Sequence, residues 1–236
     1  MKKQQLLVTL ALTATLVFPQ LASAAMIQSD LGNTAPGFSD GDKPSVVPQL
    51  ATAQAGQPAT FDMGYGNDVF PASSFVQGWT HNYGPIIDPI LSATITIGIA
   101  DHDSAASGSQ LGLFTLDGNS LTMALNALFE ASGGADTEYN VYSLALPGSI
   151  FADLADGSMT AQLNLTGPGL VTPLFPLPGP NPPIESAGNG AFLIFSTLKI
   201  ETGVAPVAEP GTLLLLSTFA MLLGVMPSRR RRKRAL

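Results

Sequence analysis

The chain has 236 residues, no cysteine and 11% charged residues, less than half of the roughly 25% typical of a globular protein. Between Ala25 and Ala208 only Lys43 and Lys199 are basic, against 16 acidic residues, so this segment has a net charge of −14. Such an acidic body repels phosphate backbones, which excludes nucleic acid as an expected partner. The lack of cysteine excludes disulfides and thiolate metal sites.

Residues 1–24 have the pattern of a secretory signal peptide. Two lysines precede an apolar stretch that is too short for a membrane span, and the small-x-small sequence Ala22-Ser23-Ala24 follows. We therefore predict export and cleavage between Ala24 and Ala25.

Residues 25–57 are rich in Asp, Gly, Pro, Ser and Ala and contain few large apolar side chains. This composition predicts a flexible arm. The ordered domain is then expected over residues 58–202.

This domain is predicted to be built from antiparallel strands. Alternation is clearest over Leu91–Ala100, where apolar side chains share one face and Ser and Thr the other. Asp-Gly pairs at residues 117–118 and 156–157 indicate tight turns, and two segments have the spacing of short helices. The pattern predicts an all-β antiparallel sandwich. Further predicted strands are Ser74–Tyr83, Glu138–Leu146, Ser158–Gly167 and Ala191–Glu201.

Asp101 and Asp103 follow the clearest strand and stand two residues apart, so an extended chain would point both carboxylates to one side and His102 to the other. Paired carboxylates in an acidic body suit Ca²⁺, which takes 6–8 oxygen ligands. An ordinary solvated turn is the alternative.

Trp79, His81 and Tyr83 share one face of a predicted strand. Trp79 and Tyr83 are candidates for stacking on sugar rings. Core packing is the alternative, because the single Trp and four Tyr must also supply the largest apolar contacts.

Catalysis finds little support in the sequence. His81 and His102 are the only histidines, and no nucleophile elbow, His-Glu-x-x-His helix or phosphate loop accompanies them. Four glutamates between residues 130 and 201 are available as glycosidase acids, but nothing fixes their separation. A glycoside-active enzyme is thus the weakest hypothesis.

Residues 203–236 combine an apolar run with a cationic end. Residues 211–226 carry no charge and would form a helix about 24 Å long, a little short of a hydrocarbon core of about 30 Å. Pro210 suits the first turn of that helix. We expect one inner-membrane helix, with its basic end held in the cytoplasm by the positive-inside rule. The basic cluster is Arg229, Arg230, Arg231, Arg232, Lys233 and Arg234.

The Val207-Ala208-Glu209-Pro210 sequence, the short apolar helix and the terminal basic cluster together resemble the PEP-CTERM sorting signal of Gram-negative bacteria. The family's box usually reads Val-Pro-Glu-Pro, so Ala208 replaces one proline while Glu209 and Pro210 are retained. The resemblance implies that an exosortase recognises and cuts the tail. The body is similar in pattern to jelly-roll, lectin-like modules, and that similarity implies calcium-stabilised loops and often sugar binding.

These features predict an exported protein, sorted by its tail to the cell surface or the extracellular matrix, where exopolysaccharide is the expected partner. The body is expected to be non-catalytic. A calcium-dependent carbohydrate-binding module is the second hypothesis.

Overall fold

The structure, a computed structural model, describes residues 24–173 and 182–203. Its ten strands, in chain order, are β1 (Ala25–Gly32), β2 (Val76–Asn82), β3 (Ile90–Ala100), β4 (Leu111–Leu116), β5 (Asn119–Ser120), β6 (Tyr139–Ala145), β7 (Ser158–Leu165), β8 (Gly169–Val171), β9 (Ile184–Ser186) and β10 (Phe192–Thr202). One four-stranded sheet has the order β1-β10-β3-β6, and the other has the order β2-β7-β4-β5. Every pairing is antiparallel, so the predicted all-β antiparallel sandwich is confirmed. β8 and β9 form a separate two-stranded sheet.

The helical segments are short. A π-helical turn at Val46–Leu50 runs into α1 (Ala51–Gln54), α2 spans Thr122–Ser132, and a 3₁₀ turn at Gly148–Ile150 leads into α3 (Phe151–Leu154). α2 buries Leu125 and Phe129 and ends at Gly133, whose left-handed backbone closes the helix.

β3 and β10 form the centre of the first sheet. Ile95, Ile97 and Ile99 of β3 are buried in the core, as the alternation predicts, and Thr94 and Thr96 lie on the opposite face. β10 is buried on both faces from Leu193 to Leu198. In the amino-acid sequence, a central strand that is buried on both faces appears as a nearly continuous apolar run.

The predicted flexible arm over residues 25–57 is wrong, because this segment belongs to the folded body. β1 pairs along its whole length with β10, from Ala25 opposite Thr202 to Gly32 opposite Phe195. Farther on, Phe38 and Leu50 pack in a second apolar cluster. That cluster also contains Ala100, Tyr139, Val141, Phe192, Ile194 and Phe195. The arm is ordered because it covers the outer face of the first sheet.

The antiparallel β3-β10 pair gives the body two distinct ends. Thr202 lies opposite Ile90, and the Gly203 amide donates to the Pro89 carbonyl (2.7 Å). At the other end, Phe192 lies opposite Ala100. We call the end at Thr202 the C-terminal pole and the end at Ala100 the distal pole. Ten steps of a strand separate them by roughly 33 Å.

Within residues 24–173 and 182–203, no helix is long and apolar enough to cross a membrane. The predicted apolar segment 211–226, the basic cluster and most of the predicted signal peptide lie outside the described residues.

His81 links the two sheets through buried hydrogen bonds. Its ring belongs to β2, yet its two nitrogens contact Ser29 Oγ of β1 (3.1 Å) and Ser196 Oγ of β10 (2.9 Å). Burial lowers the pKa of His81 to about 4, although the charge of Asp30 acts in the opposite direction. The ring is therefore neutral at physiological pH.

His81 should make the body sensitive to acid. The unfolded chain binds a proton at this site below pH 6.5 and the folded chain only near pH 4, so the stability present above pH 6.5 is lost as the pH falls toward 4. We expect the free energy of unfolding to fall by about 2 kcal/mol from this residue between pH 7.5 and pH 5. In urea titrations, the difference in free energy of unfolding between wild type and His81→Gln should become smaller by that amount from pH 7.5 to pH 5. Parallel pH profiles would contradict the prediction.

Candidate metal centre

Asp101 and Asp103 lie at the distal pole, in the turn that follows β3. Both have left-handed backbone conformations, with φ of +62° and +57°. Asp and Asn adopt this region more readily than most residues. The predicted common orientation of the two carboxylates is found, but it arises from these two left-handed residues and not from an extended chain.

His102 lies between them and points into the core. Its ring is fully buried and packs edge-on against Phe129 and Tyr142, with ring centroids 4.6 and 5.3 Å away. Its Nε2 lies 2.6 Å from the Tyr142 hydroxyl. Burial lowers the pKa of His102 to about 3, so the ring is neutral. This packing fixes the turn, and the Asp101 and Asp103 side chains lie on the side of the turn away from the His102 ring.

Asp68 supplies a third carboxylate. It comes from the loop before β2, and one oxygen from each of Asp68, Asp101 and Asp103 lies within 4.8 Å of the other two. We call these three residues the aspartate cluster. The sequence analysis missed Asp68, because it stands 33 residues before Asp101 in an irregular segment without a strand pattern.

Each carboxylate of the aspartate cluster is held by one backbone amide from a different segment. The Gly190 amide donates to Asp68 Oδ1 (2.6 Å), the Thr137 amide to Asp101 Oδ1 (2.7 Å), and the Leu170 amide to Asp103 Oδ2 (2.7 Å). These bonds set the positions of three carboxylates whose charges repel one another. They leave the second oxygen of each carboxylate without a backbone donor among the described residues.

The environment of the aspartate cluster opposes ionisation. Burial, and then repulsion from Asp101, raises the pKa of Asp103 to about 8. Burial raises the pKa of Asp101 to about 7 and that of Asp68 to about 6, with Asp136 adding repulsion to both. No cationic side chain contributes to any of the three shifts. The described part of the chain therefore supplies no positive charge that would favour the ionised form of these carboxyl groups.

Two buried oxygen atoms at the site have no hydrogen-bond partner within residues 24–173 and 182–203. One is Asp103 Oδ1, on a side chain with no exposed surface. The other is Asn189 Oδ1, whose amide nitrogen donates to the His102 carbonyl (3.1 Å). Buried carboxylate and amide oxygens normally have partners, because their desolvation is costly.

Asp68 lines two clefts. One, of about 240 Å³, is lined by Asp101 and by residues 64–68 and 190–192. The other, of about 520 Å³, is lined by Asp136, Thr137 and residues 67–69 and 170–173. Solvent and small ligands can therefore approach Asp68 and Asp101, while Asp103 is closed off.

The structure buries Trp79 in the core and leaves Tyr83 partly buried at the margin of the core. Trp79 is 6% exposed and packs edge-on against Phe61, with ring centroids 6.0 Å apart. The Tyr83 hydroxyl donates to the carbonyls of Leu154 (2.8 Å) and Ser158 (3.1 Å). Trp79 presents no free ring face, so sugar stacking at this residue is wrong and the core-packing interpretation holds.

The predicted sorting motif, Val207 to Pro210, lies outside the described residues. Of the predicted cleavage site, Ala25 is the first residue of β1, and Ala24 immediately precedes the strand.

No family model matches the chain, and no curated protein matches it. Two solved structures do, both of BuGH86 in complex with neoagarooctaose, as the wild type and as a single-residue variant. Each is 10% identical to this chain, with a TM-score of 0.31 and a match that covers 76% of this chain. The match covers 19% of the other protein, so this chain spans about a fifth of its length. At this similarity the neighbours do not inform the function.

Gly169 is the residue on which the packing of the aspartate cluster can be tested. A methyl group there would overlap the Gly188 carbonyl oxygen and lie 2.6 Å from Asp68 Oδ1 and 3.1 Å from Asp103 Oδ2. We expect Gly169→Ala to lower the free energy of unfolding by about 1–3 kcal/mol, the usual cost of overpacking. Gly148→Ala is the matched control, since its added carbon would meet only Phe151 at 3.9 Å. Equal stability of the two variants in urea titrations would contradict the close packing.

Proposed function

We propose that this chain is an exported protein of the cell surface or extracellular matrix, sorted by its C-terminal tail and carrying a non-catalytic β-sandwich body. One observation carries the proposal: the first strand of the body pairs with the last. Ala25 lies opposite Thr202 in the register of β1 and β10. The body is thus closed between these residues, and the predicted signal peptide and sorting tail fall outside it.

The strand order supports a jelly-roll body. The pairs β1-β10, β2-β7, β3-β6 and β4-β5 are those of one long antiparallel hairpin, with the Asp117-Gly118 turn at its tip. Folding such a hairpin over on itself produces the two four-stranded sheets of a jelly roll. This architecture is common to many non-catalytic binding and structural modules, so it is compatible with the proposed role without defining it.

The two poles fit a display role. The tail would leave from the C-terminal pole, next to Thr202, and the aspartate cluster lies at the distal pole, roughly 33 Å away along β3. A body anchored through its tail would therefore hold the cluster and its two clefts away from the membrane. Exopolysaccharide is the partner that we propose for this surface.

The positions of the histidines favour a non-catalytic body. The His81 ring is buried between Ser29 and Ser196, and the His102 ring is buried against Phe129 and Tyr142. Burial lowers the pKa of both well below neutrality, so neither is suited to proton transfer near pH 7.

Removal of the predicted signal peptide can be measured by mass. The exported protein should begin at Ala25, because β1 then keeps all eight of its residues. Intact-mass and N-terminal sequencing of protein recovered outside the cytoplasm should show this start. Ala24→Leu should block processing, since the site needs a small residue there, while Ala35→Leu should leave processing unchanged. Recovery of exported protein that retains Met1 would contradict the prediction.

The sorting role of the tail can be tested by deletion. Removing residues 211–236 should release the body into the periplasm and abolish its display at the surface. Surface labelling of intact cells and cell fractionation measure the two effects. Replacing 211–226 with an unrelated apolar helix of equal length, and keeping the basic cluster, tests anchoring alone. Normal display of either variant would contradict specific sorting by the tail.

A further inference from the structure

We propose that Asp68, Asp101 and Asp103 bind one Ca²⁺ ion at the distal pole, and that the ion ties the loop before β2 to the turn after β3. This inference does not depend on export or on the sorting tail. It goes beyond the carboxylate pair that the sequence indicates, since Asp68 comes from a distant part of the chain.

The geometry of the aspartate cluster matches a single calcium ion. Calcium–oxygen distances are about 2.3–2.6 Å, so two ligands on opposite sides of one ion stand up to roughly 5 Å apart. The three carboxylate oxygens lie within 4.8 Å of one another. These separations are compatible with one ion held between the three carboxylates.

The backbone holds the three ligands in place before any ion arrives. The amides of Gly190, Thr137 and Leu170 each donate to one carboxylate. Three carboxyl groups are therefore fixed together, although each would be better solvated apart. Pre-organised ligands lose little conformational freedom on binding, which favours affinity.

The buried oxygen of Asp103 is the independent observation that points to a bound cation. Acidic groups often cluster on surfaces without a ligand, but Asp103 has no exposed surface and its Oδ1 accepts no hydrogen bond from the described chain. A buried carboxylate oxygen needs a compensating partner, and a cation supplies one. Asn189 Oδ1, a neutral amide oxygen on the residue that bonds to the His102 carbonyl, likewise has no hydrogen-bond partner among the described residues.

The donor set selects Ca²⁺ over other common ions. All three proposed ligands are hard oxygens. The neighbouring imidazole of His102 packs against Phe129 in the core, on the side of the turn away from the carboxylates. Zn²⁺ and Cu²⁺ prefer nitrogen and sulfur ligands. Mg²⁺ requires a small octahedral shell and gives up its waters reluctantly, whereas Ca²⁺ accepts an irregular shell completed by water. The 240 Å³ cleft beside Asp68 and Asp101 gives water access to the remaining positions.

The decisive experiment titrates the full-length chain, purified in detergent, with CaCl₂ alone. Isothermal titration calorimetry should detect one site per chain. At a Ca²⁺ concentration a hundred times the dissociation constant, the melting temperature should exceed that in chelator by roughly 5–10 °C. Trp79 is the only tryptophan and is buried, so its fluorescence reports the transition. NaCl of matched ionic strength controls for general screening, and MgCl₂ tests selectivity.

Two isosteric variants separate the site from a general charge effect. Asp103→Asn should weaken Ca²⁺ binding at least tenfold and remove most of the melting shift. In chelator it should melt close to the wild-type temperature, because the amide keeps the shape of the carboxyl group and can still accept the bond from the Leu170 amide. Asp88→Asn removes the same charge near the C-terminal pole and should keep the full response. If Asp103→Asn does not fold, Asp68→Asn, at the open side of the cluster, replaces it.

Equal melting temperatures in Ca²⁺ and in matched Na⁺, with no binding heat, would overturn the proposal. Wild-type affinity in the cluster variant would overturn the assignment of the ligands. An equal response to Mg²⁺ would overturn the choice of calcium.

Discussion

The body depends on the insertion of its last strand between its first and third strands. β10 pairs with β1 on one side and with β3 on the other, and its side chains are buried on both faces over most of its length. Without β10, β1 would have no partner in its sheet and β3 would pair only with β6. Pairings between residues so far apart in sequence carry a high loop-closure cost. The first sheet is therefore completed by the last residues of the domain.

The same insertion sets the polarity of the molecule. Because β3 and β10 are antiparallel, the end of β3 meets the beginning of β10, and the turn after Ala100 lies beside the glycine-rich segment that precedes Phe192. Gly190 then reaches Asp68, and Leu170 reaches Asp103. The aspartate cluster is thus a product of the sheet topology, with His102 acting as the core anchor that fixes the turn.

The sequence contains enough to predict the strands but not the long-range contacts of the site. The centre of the first sheet can be identified from the sequence. Alternation over residues 91–100 indicates a strand with one buried face, and the apolar run of β10 indicates a strand with two. Asp101 and Asp103 stand out because they follow that strand. Asp68 does not, because only the fold brings its loop to Gly190. The sequence also does not show that residues 25–57 are folded. Phe38 and Leu50 are buried in the second apolar cluster but follow no regular spacing in the sequence. Ser29 contacts His81 through a hydrogen bond, which leaves no apolar pattern in the sequence.

The position of Gly203 directly after β10 has a mechanical consequence. A force that pulls Gly203 outward, away from the body, acts on β10 along the axis of the strand. Hydrogen bonds in antiparallel ladders run perpendicular to the strands, so the load shears eight residue pairs with β1 and ten with β3 at the same time. A strand at the sheet edge, pulled sideways, would instead release its pairs one by one. The body is therefore arranged to resist traction on its C-terminal end, with the force shared between two ladders.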